Sequence, residues 1–215
     1  MTHWKIGNAP KRREDERFVT GNATYLDDYS LPGMVHAVVL RSSHAHAVIE
    51  RLDGTLARVP GVLAVLTATD VKRDGLGPLW PTAEANLKTG EPFAFMPQPL
   101  LATNKVRYVG EPVALIIAES HNLALHAAEM VAVDYAPLAA VSTPAAARAP
   151  GAPQIALEAP GNVCFDWQTG DTAAVSAAIA SAAHVVSLSV NNHRIVTNPM
   201  EPRGVVVELS GRACK

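Results

Sequence analysis

Residues 41–47 read Arg-Ser-Ser-His-Ala-His-Ala and join two strand-like runs, Met34–Leu40 and Ala47–Leu52. The turn carries a guanidinium, two hydroxyls and two imidazoles. His44 and His46 are two apart, so on an extended strand they would share a face and could chelate a metal. No third ligand follows at a recognisable spacing. The expected role is a turn whose hydroxyls and imidazoles satisfy buried backbone groups. Ser42 or Ser43 with His46 and Asp53 has the composition of a catalytic triad. No nucleophile elbow or oxyanion-hole glycine motif accompanies it.

Outward from this turn, two segments open with Pro-Gly and continue as strands. Leu31-Pro32-Gly33 leads into Met34–Leu40, and Val59-Pro60-Gly61 leads into Val62–Thr67. Proline presets one central torsion of a type II turn and glycine supplies the positive φ at the next. Gly54–Val59 reads as one short helical turn stopped by Pro60. Residues 75–101 are rich in proline and glycine and read as a long excursion over the surface or over a partner. Lys105–Val109, Gly110-Glu111 and Pro112–Ala118 read as a hairpin, with proline where a missing N–H is tolerable. Ser120 caps a helix over 121–130, with Leu123, Ala127, Met130 and Val131 on one stripe. A short strand follows at Val131–Tyr135.

Residues 136–161 are rich in alanine and proline, which is linker composition. Beyond them the pattern predicts a strand at Val163–Trp167, a helix capped by Asp171 and a strand at His184–Asn192. That helix carries Val175, Ala178, Ile179 and Ala182 on one stripe. A last strand is expected at Gly204–Leu209. So small a piece buries too little to be stable alone, and its strands would present unpaired backbone.

Composition narrows the function classes. The 215 residues are 48% hydrophobic and 18% charged, enough apolar content for a core. The formal net charge of −2 offers no basic field for nucleic acid or an anionic membrane. Arg12, Arg13 and Arg17 alternate with Glu14, Asp15 and Glu16, which reads as a solvated arm. Cys164 and Cys214 form no C-x-x-C pair and no iron–sulfur ligand set, and a reducing, cytoplasmic setting is expected. The opening Met-Thr-His-Trp-Lys does not read as a signal peptide, and runs such as Val113–Ala118 are too short to span a bilayer. Gly110-Glu-Pro-Val-Ala114 lacks the glycine spacing and lysine of a phosphate loop. His121 and His126, five apart, do not share a helix face and read as polar-face residues. Met200-Glu-Pro-Arg-Gly204 leaves two readings open for Glu201 and Arg203: an ion pair or turn lock, or a ligand contact.

Several of these segments, in order, resemble the N-terminal part of the large, molybdenum-binding subunit of the xanthine dehydrogenase, aldehyde oxidase and carbon monoxide dehydrogenase family. They are Lys11-Arg-Arg-Glu-Asp-Glu-Arg-Phe-Val-Thr-Gly21, Tyr25-Leu-Asp-Asp28, Leu31-Pro-Gly-Met34, and Arg41-Ser42 with Ala45-His46-Ala47. Pro60-Gly-Val62, Leu101-Ala102, Val106-Arg-Tyr-Val-Gly-Glu-Pro-Val-Ala114 and Val133-Asp-Tyr135 follow, then Gly170-Asp171 and Pro199-Met-Glu-Pro-Arg-Gly204. The Lys-Arg-Arg-Glu-Asp opening leans toward the bacterial carbon monoxide dehydrogenase-like branch.

The resemblance implies an α+β chain: an N-terminal arm over 1–19, an α/β hammerhead domain over 20–140 and an Ala/Pro-rich linker over 141–161. Residues 162–215 would be the truncated beginning of a molybdopterin-binding domain. In the family, molybdenum on a molybdopterin cytosine dinucleotide hydroxylates aldehydes or N-heterocycles, or oxidises carbon monoxide. A glutamate acts as base, a role that burial suits by raising its pKa. Electrons leave through 2Fe–2S clusters to FAD on partner domains or subunits. The family's glycine-rich cofactor loop and catalytic glutamate lie downstream of the Met-Glu-Pro-Arg-Gly motif. The tail Ser210-Gly-Arg-Ala-Cys-Lys215 does not resemble that continuation. The chain is therefore expected to be about the first quarter of a longer protein, inactive alone, with no catalytic, cofactor-binding or metal residue assigned. Its expected partners are the rest of the large subunit and the FAD-binding and 2Fe–2S subunits. The alternative is a non-catalytic hammerhead module that docks on a partner through 75–101.

Overall fold

The computed structural model describes residues 7, 9, 11–80, 96–166, 168–193, 195–199, 201, 203–210, 213 and 214. In chain order the elements are α1 (Asp15–Val19), β1 (His36–Arg41), β2 (Ala47–Asp53), β3 (Val62–Leu66), α2 (Ala68–Arg73) and β4 (Lys105–Val106). Then come β5 (Pro112–Ala118), α3 (His121–Met130), β6 (Ala132–Pro137), α4 (Pro144–Arg148), α5 (Thr172–Ser181), β7 (Leu209–Ser210) and β8 (Ala213–Cys214). The chain divides into two units, Met34–Val185 on the one hand and Met1–Gly33 with Val186–Lys215 on the other.

Met34–Val185 holds two antiparallel three-stranded sheets, ordered β1-β5-β3 and β4-β2-β6. β5 is the strand on which both hydrophobic clusters draw. Ala114, Ile116 and Ala118 point to one side and join Val65, Ala124, Ala127, Ala128 and Val131 in a cluster. Val113 points to the other side and joins Ala47, Ala102 and Val106. Alternation along a strand sends neighbours to opposite faces, so one apolar run serves two cores.

α3 lies over the first sheet because its buried face is alanine: Ala124, Ala127 and Ala128. Small residues on both helix and strand let the backbones approach closely. Alanine buries little area, so Val65, Ile116 and Val131 supply the bulk. The Ser120 hydroxyl accepts from the Leu123 N–H at 3.3 Å, the cap the sequence predicts. The Pro60-Gly61 turn also forms as expected. The Val62 N–H donates to the Val59 carbonyl at 3.0 Å, and Gly61 has φ +85°. A Cβ there would lie 2.7 Å from Leu123 Cδ2, so the glycine also lets α3 sit close to this turn.

Several expectations need correction. Lys105–Ala118 is not a hairpin: β4 pairs with β2 and β5 pairs with β1 and β3, in different sheets. Residues 107–111 cross from one sheet to the other, held by bonds to Ser42 described below. Gly54–Val59 is not helical. It is a pair of overlapping turns in which Ala57 N–H donates to Gly54 and Arg58 N–H to Thr55. The sequence reading missed α2, whose start is set by the Thr67 N–H and hydroxyl donating to the Asp70 carboxylate at 2.8 and 3.0 Å.

Within 75–101, residues 81–95 lie outside the described residues. Leu79 and Gln98 on either side exchange two backbone bonds of 2.8 and 2.9 Å. The Ala/Pro-rich segment is locally ordered. The Asn162 amide donates to the Ala147 and Pro153 carbonyls at 2.9 and 3.0 Å, and its oxygen accepts from the Ile155 N–H.

α5 forms with the predicted cap, the Asp171 carboxylate accepting from the Ala174 N–H at 2.9 Å. Its stripe of Val175, Ala178, Ile179 and Ala182 is exposed. Among the described residues no strand forms at 163–166 or 184–192, and Trp167 lies outside them. Of 204–209 only Leu209 is paired, within β7. A strand needs a neighbour for its backbone, and among the described residues no ladder forms along 184–192.

Candidate functional site

The Arg41–Ala47 turn is where polar groups enter the interior. Buried polar side chains among the described residues are Ser42, His46 and Glu111, all in this turn or the one against it. Arg41 donates to the Gly110 carbonyl at 2.9 Å, Ser42 N–H to the Glu111 carbonyl at 2.9 Å, and Gly110 N–H to the Ser42 carbonyl at 2.8 Å. The two turns are thus laced together by backbone. The Ser42 hydroxyl accepts from the His44 N–H and stands within bonding distance of its carbonyl, each at 3.0 Å.

The Glu111 carboxylate folds back on its own turn. It accepts from the Arg107 N–H and pairs with the Arg107 guanidinium at 3.5 Å. Sequence reasoning overlooked this buried acceptor. The available signal was a glutamate set between a glycine and a proline at the mouth of a strand with no charged residue in it.

The two imidazoles go separate ways. His46 is buried, and its Nδ1–H donates to the Ala139 carbonyl at 2.6 Å; the Leu138 N–H donates back to the His46 carbonyl at 2.8 Å. These bonds clamp the start of β2 to the end of β6. His46 Nε2 is the one buried side-chain nitrogen or oxygen without a partner among the described residues. His44 instead stacks on Tyr135, ring centroids 4.6 Å apart and tilted 30°, with Nδ1 3.2 Å from the Ser43 hydroxyl. Burial pushes the Tyr135 phenol up from its ordinary value, and a hydrogen bond with Ser42 works against that rise.

No chelating pair and no triad is assembled. Asp53 is committed to its own turn, where the Thr55 hydroxyl and N–H hold its carboxyl below the usual range and Arg51 adds to the effect. His121 and His126 are exposed on α3, as their spacing predicts, with His121 set edge-on to His36 at 6.3 Å.

In the other unit the open question about Glu201 has an answer. Its carboxylate accepts the Leu26 N–H at 2.9 Å, across 175 residues of sequence. A Cβ at Gly204 would collide with the Leu26 side chain. Glu201 and Gly204 thus form a lock on residue 26, and no Glu201–Arg203 ion pair occurs among the described residues. Arg203 lines an open cleft of about 650 Å³ with Ile195, Val196, Thr197, Asn198 and Pro199. Met200 and Pro202 of the motif lie outside the described residues.

A metal held by protein side chains does not fit here. Among the described residues, no three His, Cys, Asp or Glu gather where an ion could sit. The buried Ser42, His46 and Glu111 are engaged by backbone groups, which leaves one imidazole nitrogen. No described helix is long and apolar enough to cross a membrane.

Residues 20–139 match the model of the family described as aldehyde oxidase and xanthine dehydrogenase, a/b hammerhead domain. The carbon monoxide dehydrogenase large chain of Afipia carboxidovorans is 37% identical over an alignment 209 positions long that covers 91% of this chain and 24% of that one. The nicotine 6-hydroxylase large subunit of Paenarthrobacter nicotinovorans is also 37% identical, over 97% of this chain and 25% of that subunit. The solved structure of reconstituted CO dehydrogenase from Oligotropha carboxidovorans superposes with a TM-score of 0.67 at 34% identity, covering 83% of this chain and 22% of that one. The chain spans about a quarter of the length of the curated relatives it matches.

Proposed function

The chain belongs to the aldehyde oxidase and xanthine dehydrogenase family with the α/β hammerhead domain, and from that premise we propose that these 215 residues are the N-terminal scaffold of a molybdenum hydroxylase large subunit. The hammerhead would span 20–140, after an arm over 1–19. The Ala/Pro-rich segment 141–161 would lead to the opening of the molybdopterin-binding domain at 162. The observation that carries this reading is the match of residues 20–139, with relatives that are large chains or large subunits extending over nearly the whole chain.

When bound, the molybdenum–pterin group supplies oxidative hydroxylation of a carbon centre or oxidation of a small molecule. No group in residues 1–215 is assigned to hold it. These residues instead support the polypeptide that does. Electrons would pass to partners carrying 2Fe–2S clusters and FAD, in the cytoplasm.

Expression of the 215-residue chain alone, and together with the polypeptides encoded beside its gene, tests the proposal. Molybdenum content and oxidation of a panel of aldehydes and N-heterocycles are read in both preparations. Metal and turnover are expected in the co-expressed assembly, with this chain a stoichiometric member, and in no preparation of the chain alone. Stoichiometric molybdenum or turnover from the single chain overturns the assignment.

A second reading, a non-catalytic hammerhead module, is favoured by one observation: both hydrophobic clusters lie within Met34–Val185. It predicts uniform hydrogen-exchange protection through the C-terminal third. The first reading predicts protection near 34–137 and fast exchange beyond 182.

A further inference from the structure

The scaffold uses only the buried side of the Arg41–Ala47 turn. Ser42 and His46 lie inside, but Ser43 is exposed and His44 is half-buried. The Ser43 hydroxyl stands 3.2 Å from His44 Nδ1. With the ring proton on Nε2, the hydroxyl donates and Nδ1 accepts, the arrangement of a nucleophile beside its base.

The imidazole is held in place. Its ring stacks on Tyr135 at 4.6 Å, the Tyr135 phenol is hydrogen-bonded to Ser42, and the His44 N–H donates to the Ser42 hydroxyl at 3.0 Å. Ser42 is itself buried, and its N–H is anchored on the Glu111 carbonyl at 2.9 Å. A buried serine thus positions the base for an exposed one. In a catalytic triad a carboxylate does this orienting. Here an aromatic face and a buried hydroxyl do it.

The same bonds limit what the pair can attack. The N–H groups of Ser42, His44 and Gly110 are committed to the Glu111 carbonyl, the Ser42 hydroxyl and the Ser42 carbonyl. They are not free to stabilise an oxyanion, and acyl transfer without that support needs a leaving group that departs readily. This disfavours amides and alkyl esters and leaves aryl esters and thioesters.

We propose that Ser43 is a site of covalent acylation by activated acyl donors, aryl esters or thioesters, with His44 as its general base. Ser43 Oγ bonds to the acyl carbon while His44 Nδ1 takes the hydroxyl proton. The bond from the acyl carbon to the aryl oxygen or thioester sulfur breaks, and the leaving group departs with its electron pair and collects the proton from the imidazolium. The products are an ester on Ser43 and a free phenol or thiol. No oxidant or metal takes part, so this site and the proposed function can fail independently.

The test incubates the 215-residue chain with p-nitrophenyl acetate and then digests it with trypsin, which releases residues 42–51 as one peptide. Fragment masses separate Ser42 from Ser43, and Ser30, an exposed serine elsewhere in the chain, is the internal reference. Ser43 is expected to acetylate about ten to a hundred times faster than Ser30, with Ser42 unlabelled. His44→Phe keeps a ring against Tyr135 and removes the base. It is expected to bring Ser43 down to the Ser30 rate with the melting temperature unchanged, and Ser43→Ala is expected to abolish the label on this peptide. Labelling of the wild-type chain is expected to slow in heavy water, as proton transfer to a base requires.

Ser43 labelled no faster than Ser30 overturns the proposal, and so does a His44→Phe chain labelled like wild type. Wild-type labelling at the same rate in heavy and light water also overturns it, because the imidazole is then the nucleophile. That last measurement needs no variant, so it decides even where a substitution disturbs the turn.

Discussion

β5 and Val186–Val190 are both short, uncharged and rich in β-branched residues, yet their fates are opposite. β5 bonds to β1 on one side and β3 on the other, has α3 over one face and reaches the second cluster through Val113. Val186–Val190 lies open, with no ladder among the described residues. The difference shows that apolar alternation specifies a capacity to be a strand. Pairing turns that capacity into structure, because a strand's N–H and C=O groups find partners only on another segment.

The sharpest way to break this contrast is to remove bulk from the paired strand. Ile116→Ala is expected to cost about 2–5 kcal/mol, since Ile116 is fully buried between α3 and its sheet. A shift of the urea midpoint on the purified chain measures it, and a loss below about 1 kcal/mol would show that the core is looser than its packing indicates. Glu111→Ala tests the polar lock at the mouth of the same strand. Leaving the Arg107 N–H without its acceptor should cost about 1–3 kcal/mol. Gly61→Ala forces a side chain into positive φ and against Leu123. A loss of about 1–2 kcal/mol is expected in thermal melts.

A smaller effect is pH-dependent. The Thr67 N–H holds the Asp70 carboxyl below its ordinary value, helped by the Thr67 hydroxyl and the Arg73 guanidinium. A depressed folded-state pKa adds stability above the unfolded-state value and loses it as pH falls through the folded value. Asp70→Asn should therefore be less stable than wild type at neutral pH. The two should converge as acid protonates Asp70, and a gap that persists at low pH would exclude this linkage.

The smallest effect is the most informative one. Leu188→Ala should change stability by no more than about 0.5 kcal/mol, because Leu188 is 86% exposed. A loss like that of Ile116→Ala would place Leu188 in a core and dissolve the contrast.

Local signals were legible before the structure. The Pro60-Gly61 turn and the Ser120 and Asp171 caps each depend on residues within four positions of one another, and the stripe of α3 repeats at steps of four, three and one from Leu123 to Val131. The polar role of the Ser42–His46 turn was also readable, because two hydroxyls and two imidazoles without a third metal ligand point to backbone satisfaction. The false hairpin at 105–118 has the opposite cause. Two adjacent apolar runs with a glycine between them fit a hairpin and a crossover equally well. The choice lay with Ser42, more than sixty residues away. Glu111 was overlooked, and Glu201 was left between a lock and a ligand contact, for the same reason: one accepts from Arg107 in a fold that Ser42 holds in place, the other from Leu26 at the far end of the sequence.

By itself the sequence determined where strands and helices can start and stop, which faces are apolar, and the family to which the ordered motifs point. Those properties follow from torsional preference and side-chain chemistry, which act over a few residues. Only the tertiary structure decided that β4 joins β2, that β5 lies between β1 and β3, and that His46 clamps β2 to the end of β6. Such pairings join backbone groups far apart along the chain, and their selection depends on what each segment meets when the whole is packed.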